Sequence, residues 1–548
     1  MPHRSLILPF IVEGGGWESP FASDLELAAV VCLAEAQRKK GGLLSSSVEK
    51  AAFISKVYYP LWLVPWEDRC LVVNGLGLSS YEATYAKPPD LKVFIEDLER
   101  SGISRGDFKE ALKRHLETFK DFIEVARVSV KGLITQKDLL NSLLKYLGKG
   151  KVLDESSNES LALIPPELGE EQALEACDKV VKLWRLIKGD AKGLQYALKL
   201  LDEMISLHEH GIHCEIERIR EKYGREISNL TLTVEDKVKK LIQKRDSEIK
   251  KVEKGAEKKL KSAMRKMERS KRKLQRLERN EIVILKRIEH FKRKGNEAKV
   301  AYWEQKLREC RREIGNVERE LKSISSQIER IKREGEERIK GVQESFERMI
   351  SLERERVKEL EDQRNSEIEA KQKELEDLKF KAEHIASQIE ELINRKEKYA
   401  ATLRNETTIP WKLDEETLVH IPLYLVKYEE KEKARYGLHP PMLASSHNNL
   451  LKKIRKVWSF SLESRIKLLI SPFSKDLEKM LNSALIERMS KDEAFKEKID
   501  RICQSNNILG ARDFRKLLTD GINQLKRREL VKFDEAMAIL KQYGGMKK

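Results

Sequence analysis

The sequence predicts a mainly α fold: a long antiparallel coiled-coil hairpin with a small α+β head formed from both termini. Three observations predict it. Residues 212–405 contain no proline and place apolar residues at alternating steps of three and four. Charged residues make up 36% of the 548-residue chain and aromatics 6%, which suits long solvated helices better than one large core. Two short apolar segments, one towards each end, resemble each other and fit a single sheet.

Residues 1–148 read as the N-terminal part of the head. Ser5 to Val12 is apolar but too short for a signal-peptide core, and it runs into Glu13 and Gly14-Gly15-Gly16-Trp17. No Lys or Ser follows that triplet at phosphate-loop spacing, so a flexible turn is expected there rather than a nucleotide cradle. Asp24 to Gln37 has helical periodicity behind an N-capping Asp24. Strands are expected over about 54–86. Ile54 to Val73 is β-branched and aromatic, Glu67-Asp68 and Asn74-Gly75 mark turns, and Ser80 to Ala86 supplies a third strand. Pro60 and Pro65 limit the first strand to an edge or bulged position. From Asp90 to Gly148 the pattern is helical in two or three segments.

Residues 149–211 read as a linker, with Pro165-Pro166, and helices leading into the rod. The coiled coil is expected over 212–405. Ile314, Val317, Leu321, Ile324, Ile328 and Ile331 form one seam, and Leu375, Leu378, Ala382, Ile385, Ile389 and Leu392 another. Leu274, Leu277, Glu281, Ile284, Ile288 and Phe291 keep the same step with one polar position. A single amphipathic helix lying on a globular body would have to be far longer than ordinary domains contain. In residues 406–548, the C-terminal part of the head, strands are expected over about 418–443 and helices from Asn448 onwards.

The two related segments are Tyr59 to Glu67 and Ile421 to Glu429, which share Pro, Leu, Leu, Val and Glu at matching places. Each is followed by a Pro-Pro pair, Pro88-Pro89 and Pro440-Pro441. A lone two-stranded unit is marginal in water, so the copies are expected to pair in one pseudo-symmetric sheet. The chain must then travel out along the coiled coil and return, with the tip near residue 295, at Gly295-Asn296. Arms of about 90 to 110 residues give roughly 135 to 165 Å at 1.5 Å per residue. A parallel dimer is the alternative and would undo the hairpin. The arm-and-head layout resembles that of SMC-type chromosome proteins, but the Gly-x4-Gly-Lys-Ser/Thr loop of their ATPase heads does not occur here.

The formal charge of +17 is uneven. Lys and Arg against Asp and Glu give −4 over residues 1–230, +14 over 231–300, −2 over 301–400 and +9 over 401–548. The densest run is Lys261 to Arg276. Arg265, Lys266, Arg269, Lys271, Arg272, Lys273 and Arg276, with Lys292, Arg293 and Lys294 near the tip, are the candidate phosphate-binding residues of the rod. Lys452, Lys453, Arg455 and Lys456, interleaved with Trp458, form a second candidate cluster. The bland reading of both is a solvated helix face.

His208, His210, His213 and Cys214 offer four ligand types in seven residues, but a tetrahedral site draws on two separated elements, and no second pair is evident. No metal or cofactor is expected. Cys32, Cys70, Cys177, Cys214, Cys310 and Cys503 are scattered, which argues against a disulfide framework and for a reducing, cytoplasmic setting. No run of about eighteen apolar residues predicts a membrane span, and the Glu, Lys and Arg content suits a thermophile.

These observations lead to a structural or scaffolding protein, not an enzyme, whose basic rod contacts DNA or RNA without sequence preference. The alternative is an assembly subunit of a larger machine, binding an acidic protein partner through the coiled coil or the edge of the head sheet.

Overall fold

A computed structural model of the chain describes residues 4–13, 21–40, 48–153, 161–431, 433–445 and 461–544. Gly14 to Trp17 and the cluster Lys452, Lys453, Arg455 and Lys456 lie outside the described residues. The chain forms two compact units, Met1–Met204 with Lys381–Lys548, and Ile205–Phe380.

The chain opens with strands β1 (Arg4–Ile7) and β2 (Ile11–Glu13), helix α1 (Ser23–Gln37) and the hairpin β3 (Lys50–Trp66) and β4 (Arg69–Asn74). Strand β5 (Ser80–Lys87), helices α2 (Leu91–Ser101) and α3 (Arg105–His115), strand β6 (Glu124–Lys131) and helix α4 (Lys137–Leu147) follow. Short strands β7 (Lys151–Val152) and β8 (Ala162–Leu163) precede the two long helices, α5 (Glu170–Arg293) and α6 (Glu297–Thr407). Then come β9 (Thr408–Ile409), β10 (Thr417–Glu430), β11 (Lys433–His439), β12 (Met442–Ala444), α7 (Leu462–Leu469) and β13 (Ile470–Pro472). Helices α8 (Lys475–Asn482), α9 (Glu493–Ser505), α10 (Phe514–Arg527) and α11 (Phe533–Gly544) end the described chain.

In the first unit the two related segments pair with each other, antiparallel, as the central strands β3 and β10. Tyr59 faces Ile421, its own counterpart in the repeat, and Pro60 faces His420 while Tyr58 faces Pro422. A local twofold axis therefore passes between Tyr59 and Ile421. The flanking strands obey it. β4 and β8 border β3, and β11 and β1 border β10, each with one antiparallel and one parallel neighbour.

Pro60 was expected to confine its strand to an edge or a bulge, yet β3 is central. The reason is that Pro60 falls where the outer neighbour changes from β8 to β4. Pro422 likewise falls between β1 and β11. A missing N–H at such a junction breaks no continuous ladder.

Both strands are apolar on both faces because both faces are covered. Phe53, Val57, Tyr59, Leu61 and Leu63 meet α4, α8 and α9 on one side. On the other, Ile54, Tyr424, Val426 and Tyr428 meet α1, α7 and α10, and Trp62, Val64 and Trp66 meet the residues of α5 and α6 that belong to this unit.

Three local expectations change. β6 lies in the stretch expected to be helical, where it pairs with β5 in a separate two-stranded sheet, so Ser80 to Ala86 is not a third strand of the main one. The segment Ser5 to Val12, read only as apolar chain, supplies β1 and β2. Asp24, expected to cap α1, lies inside its first turn, and the capping position is Ala22.

In the second unit α5 and α6 pack as an antiparallel hairpin. The chain reverses at Gly295, whose φ of +65° favours glycine, and the Asn296 side chain caps α6 by accepting from the Lys299 N–H at 3.2 Å. Cross-helix partners sit at matching distances from this turn: Arg311 with Glu281, Lys237 with Glu353, Tyr223 with Glu367 and Lys371 with Glu215. The expected seam from Ile314 to Ile331 points inward, with Val317 and Ile324 fully buried.

Candidate nucleic-acid interface

The basic tract lies on α5 within the second unit. Ala263 and Ser270 turn into the seam and are buried, which sends the intervening cations outward. Arg265, Lys266, Arg269, Lys271, Arg272, Lys273 and Arg276 are all exposed. Arg272 meets Glu268 of the same helix at 2.6 Å, and just upstream Lys261 meets Glu257 at 2.6 Å. Exposed pairs one turn apart are worth a few tenths of a kcal/mol and leave the cations free to exchange partners.

The opposing arm does not neutralise this charge. Residues 238–280 of α5 hold 18 Lys and Arg against 6 Asp and Glu, while the facing residues 310–352 of α6 hold 10 against 9. Among the described residues no cross-helix ion pair joins these two stretches. The nearest are Lys237 with Glu353 at 3.2 Å on one side and Arg311 with Glu281 at 2.7 Å on the other. The Lys237 hydrogen bond holds the Glu353 carboxyl below its ordinary range, a sign of the pairing that the stretch between lacks.

Lys292, Arg293 and Lys294 lie at the turn, exposed, and Lys292 and Arg293 meet Glu304 and Glu289. The turn also carries apolar surface. Ile282 is 54% and Tyr302 55% exposed, with Val283 and Leu285 beside Ile282 on α5. The Arg287 guanidinium lies 4.6 Å from the Trp303 ring centre and Lys299 5.3 Å from that of Phe291, so cations cover these aromatic faces.

Residue density alone misses part of the tract. At 100° per residue, the line 237, 240, 244, 247, 251 and onwards to 291 runs straight along one side of α5. Of its sixteen positions within an arc of about 80°, ten are Lys or Arg and none is Asp or Glu. Lys237, Lys240, Lys244, Lys251 and Lys258 extend it upstream of the dense run, and all five are exposed. The signal that finds them is the period of the charge.

The His-Cys segment does not converge. His208 is buried, whereas Cys214 lies 3.7 Å from His210 and His213 pairs with Glu209 at 3.5 Å. Lys379 donates to Glu209 at 2.6 Å and, with His213, holds that carboxyl below its ordinary range. Among the described residues, no group of three or more His, Cys, Asp or Glu is placed to hold a metal ion, and no helix is long and apolar enough to cross a membrane.

No family model matches the chain, and no curated protein matches it at a significant level. Among solved structures it matches a crystal structure of a coiled-coil segment of Pyrococcus yayanosii Smc. The identity is 16%, over 41% of this chain and 94% of that one, with a TM-score of 0.16. At that score the likeness supports no conclusion about this chain beyond the coiled coil already described.

Proposed function

We propose that the protein is a structural, non-catalytic scaffold whose α5 arm binds the phosphate backbone of nucleic acid without regard to sequence. The observation that carries this reading is the unneutralised excess on α5, 18 cations against 6 anions opposite a nearly neutral helix. Such a surface gains counterion-release free energy on meeting a polyanion. The absence of base-reading geometry is no obstacle, since phosphate contacts position a protein without specifying sequence.

The test is binding of labelled duplex DNA across a salt series, with wild type and with Lys266, Arg269, Lys271, Arg272 and Lys273 changed to Glu. Wild type is expected to bind with log K falling linearly in log salt, and the variant to lose at least a hundredfold at low salt. No wild-type binding at low salt sinks the reading. A second reading, an assembly subunit that docks an acidic protein, is favoured by the apolar surface of Ile282, Val283, Leu285 and Tyr302 at the turn. It predicts no duplex binding, and capture of an acidic protein that is weakened both in the arm variant and when these four are made polar.

A further inference from the structure

The acid-free line on α5 has a direction as well as a sign. Lys237, Lys244, Lys251 and Lys258 follow one another at steps of seven, each step falling back about 20° around the helix. Steps of eleven, which advance about 20°, then carry the line from Lys258 to Arg269 and from Arg276 to Arg287. The two drifts cancel, so the cations stay on one straight side of α5 from Lys237 to Arg287, about 75 Å at 1.5 Å per residue. Between the basic positions the line holds Ser247, Gly255, Ser262 and Asn280, small or polar residues, and one apolar residue, Val283. A tract that served only as a local patch needs no such alignment.

We infer that a nucleic-acid duplex lies lengthwise along this line, parallel to the arm, rather than crossing it at the dense run. This rests on the phosphate-binding reading above. A duplex fits because it is straight and stiff over this length and carries one charge per about 1.7 Å of axis. A single strand fits poorly. Single-strand binders rely on aromatic platforms for stacking, and the line has no aromatic residue from Lys237 to Arg287, while the ring of Phe291 beyond them is covered by Lys299. At 3.4 Å per base pair, the line matches a footprint of about 22 base pairs. DNA and RNA duplexes share the chemistry recognised.

The experiment measures affinity of the full-length protein for blunt duplexes of 10, 15, 20, 25 and 35 base pairs, as DNA and as RNA, beside a single strand of 35 nucleotides. It is repeated with Lys244→Gln, Lys251→Gln and Lys258→Gln combined, residues outside the dense run, with helix content checked by circular dichroism. Affinity is expected to rise steeply up to about 22 base pairs and then level. The triple variant is expected to lower the salt slope on the 35-mer by about three and leave the 10-mer unchanged. If affinity levels at about 10 base pairs and the triple variant behaves as wild type, the lengthwise placement is wrong while phosphate binding by the dense run stands. Tighter binding of the single strand than of either duplex overturns the choice of ligand. No binding of any duplex at low salt overturns this inference together with the proposed function. Whichever 35-mer duplex, DNA or RNA, is bound more tightly is the ligand the arm is built for.

Discussion

Single residues decide how the head responds to its surroundings. His439, at the end of β11, is fully buried, and burial pushes its imidazole down to about 4 from the ordinary 6.5, with smaller effects of Glu463, which raises it, and Lys467, which lowers it. Its folded pKa lies below its unfolded one, so the unfolded chain takes up the proton first as pH falls. The stability it protects is therefore complete above about pH 6.5 and is lost progressively down to about pH 4, a change of about 3 kcal/mol. Urea midpoints at pH 7 and pH 4.5 are expected to differ less in His439→Gln than in wild type. Equal pH dependence in the two would show that the imidazole is not the responsible group. Gly521 carries a different constraint. A Cβ there would strike the Asp24 carbonyl and lie 2.6 Å from the Ala28 Cβ, because α10 crosses α1 with its backbone in contact. Gly521→Ala gains about 1 kcal/mol of helix propensity but costs about 1–3 in overpacking against backbone that cannot move aside. Net destabilisation is expected. Gly341→Ala, in open space on α6, is expected to stabilise by about 0.5–1 kcal/mol. Reversed signs in the two unfolding curves would refute the packing account.

At the scale of elements, the long helices and the pairing of β3 with β10 were legible because each left a repeated signal. The seam recurred over many turns, and the Tyr59 and Ile421 segments shared a pattern across the chain. Elements that were missed lacked such a signal. β6 exposes nearly all its residues, so its alternation of Val and polar residues marks no buried face. Helix α1 was expected over Asp24 to Gln37 and is present, but its apolar run did not show that it is buried all round, from Leu25 to Glu35. The main sheet was read as having edge strands because proline removes a donor, and only the tertiary arrangement shows where two neighbours meet. The candidate interface was half legible. The dense run from Lys261 to Arg276 was evident from composition, whereas its extension through Lys244, Lys251 and Lys258 required the turn of the helix.

At the scale of the whole molecule, the two units hold together by different means. The head has a two-sided sheet buried under helices, while the hairpin has one narrow seam and an excess of like charge on α5 that α6 does not neutralise. Scanning calorimetry is expected to give two transitions. The one belonging to the hairpin should shift upward as salt rises from 0.05 to 0.5 M, because the screening length falls from roughly 14 to 4 Å. The head transition should move little. A single transition, or a salt shift confined to the head, would contradict this division.

The local twofold between Tyr59 and Ile421 also has a consequence for synthesis. The strand and its counterpart are separated by the entire coiled coil, roughly 360 residues, so at about 5–20 residues per second β3 leaves the ribosome some 20–70 s before β10 exists. Local helix formation is under way in the nascent arm throughout that interval, while β3 has only α1, α4 and the start of α5 of its covering helices and lacks its central partner strand. A message truncated anywhere in either arm yields a polypeptide that can never close its head, and such products are expected to be aggregation seeds rather than partly working proteins.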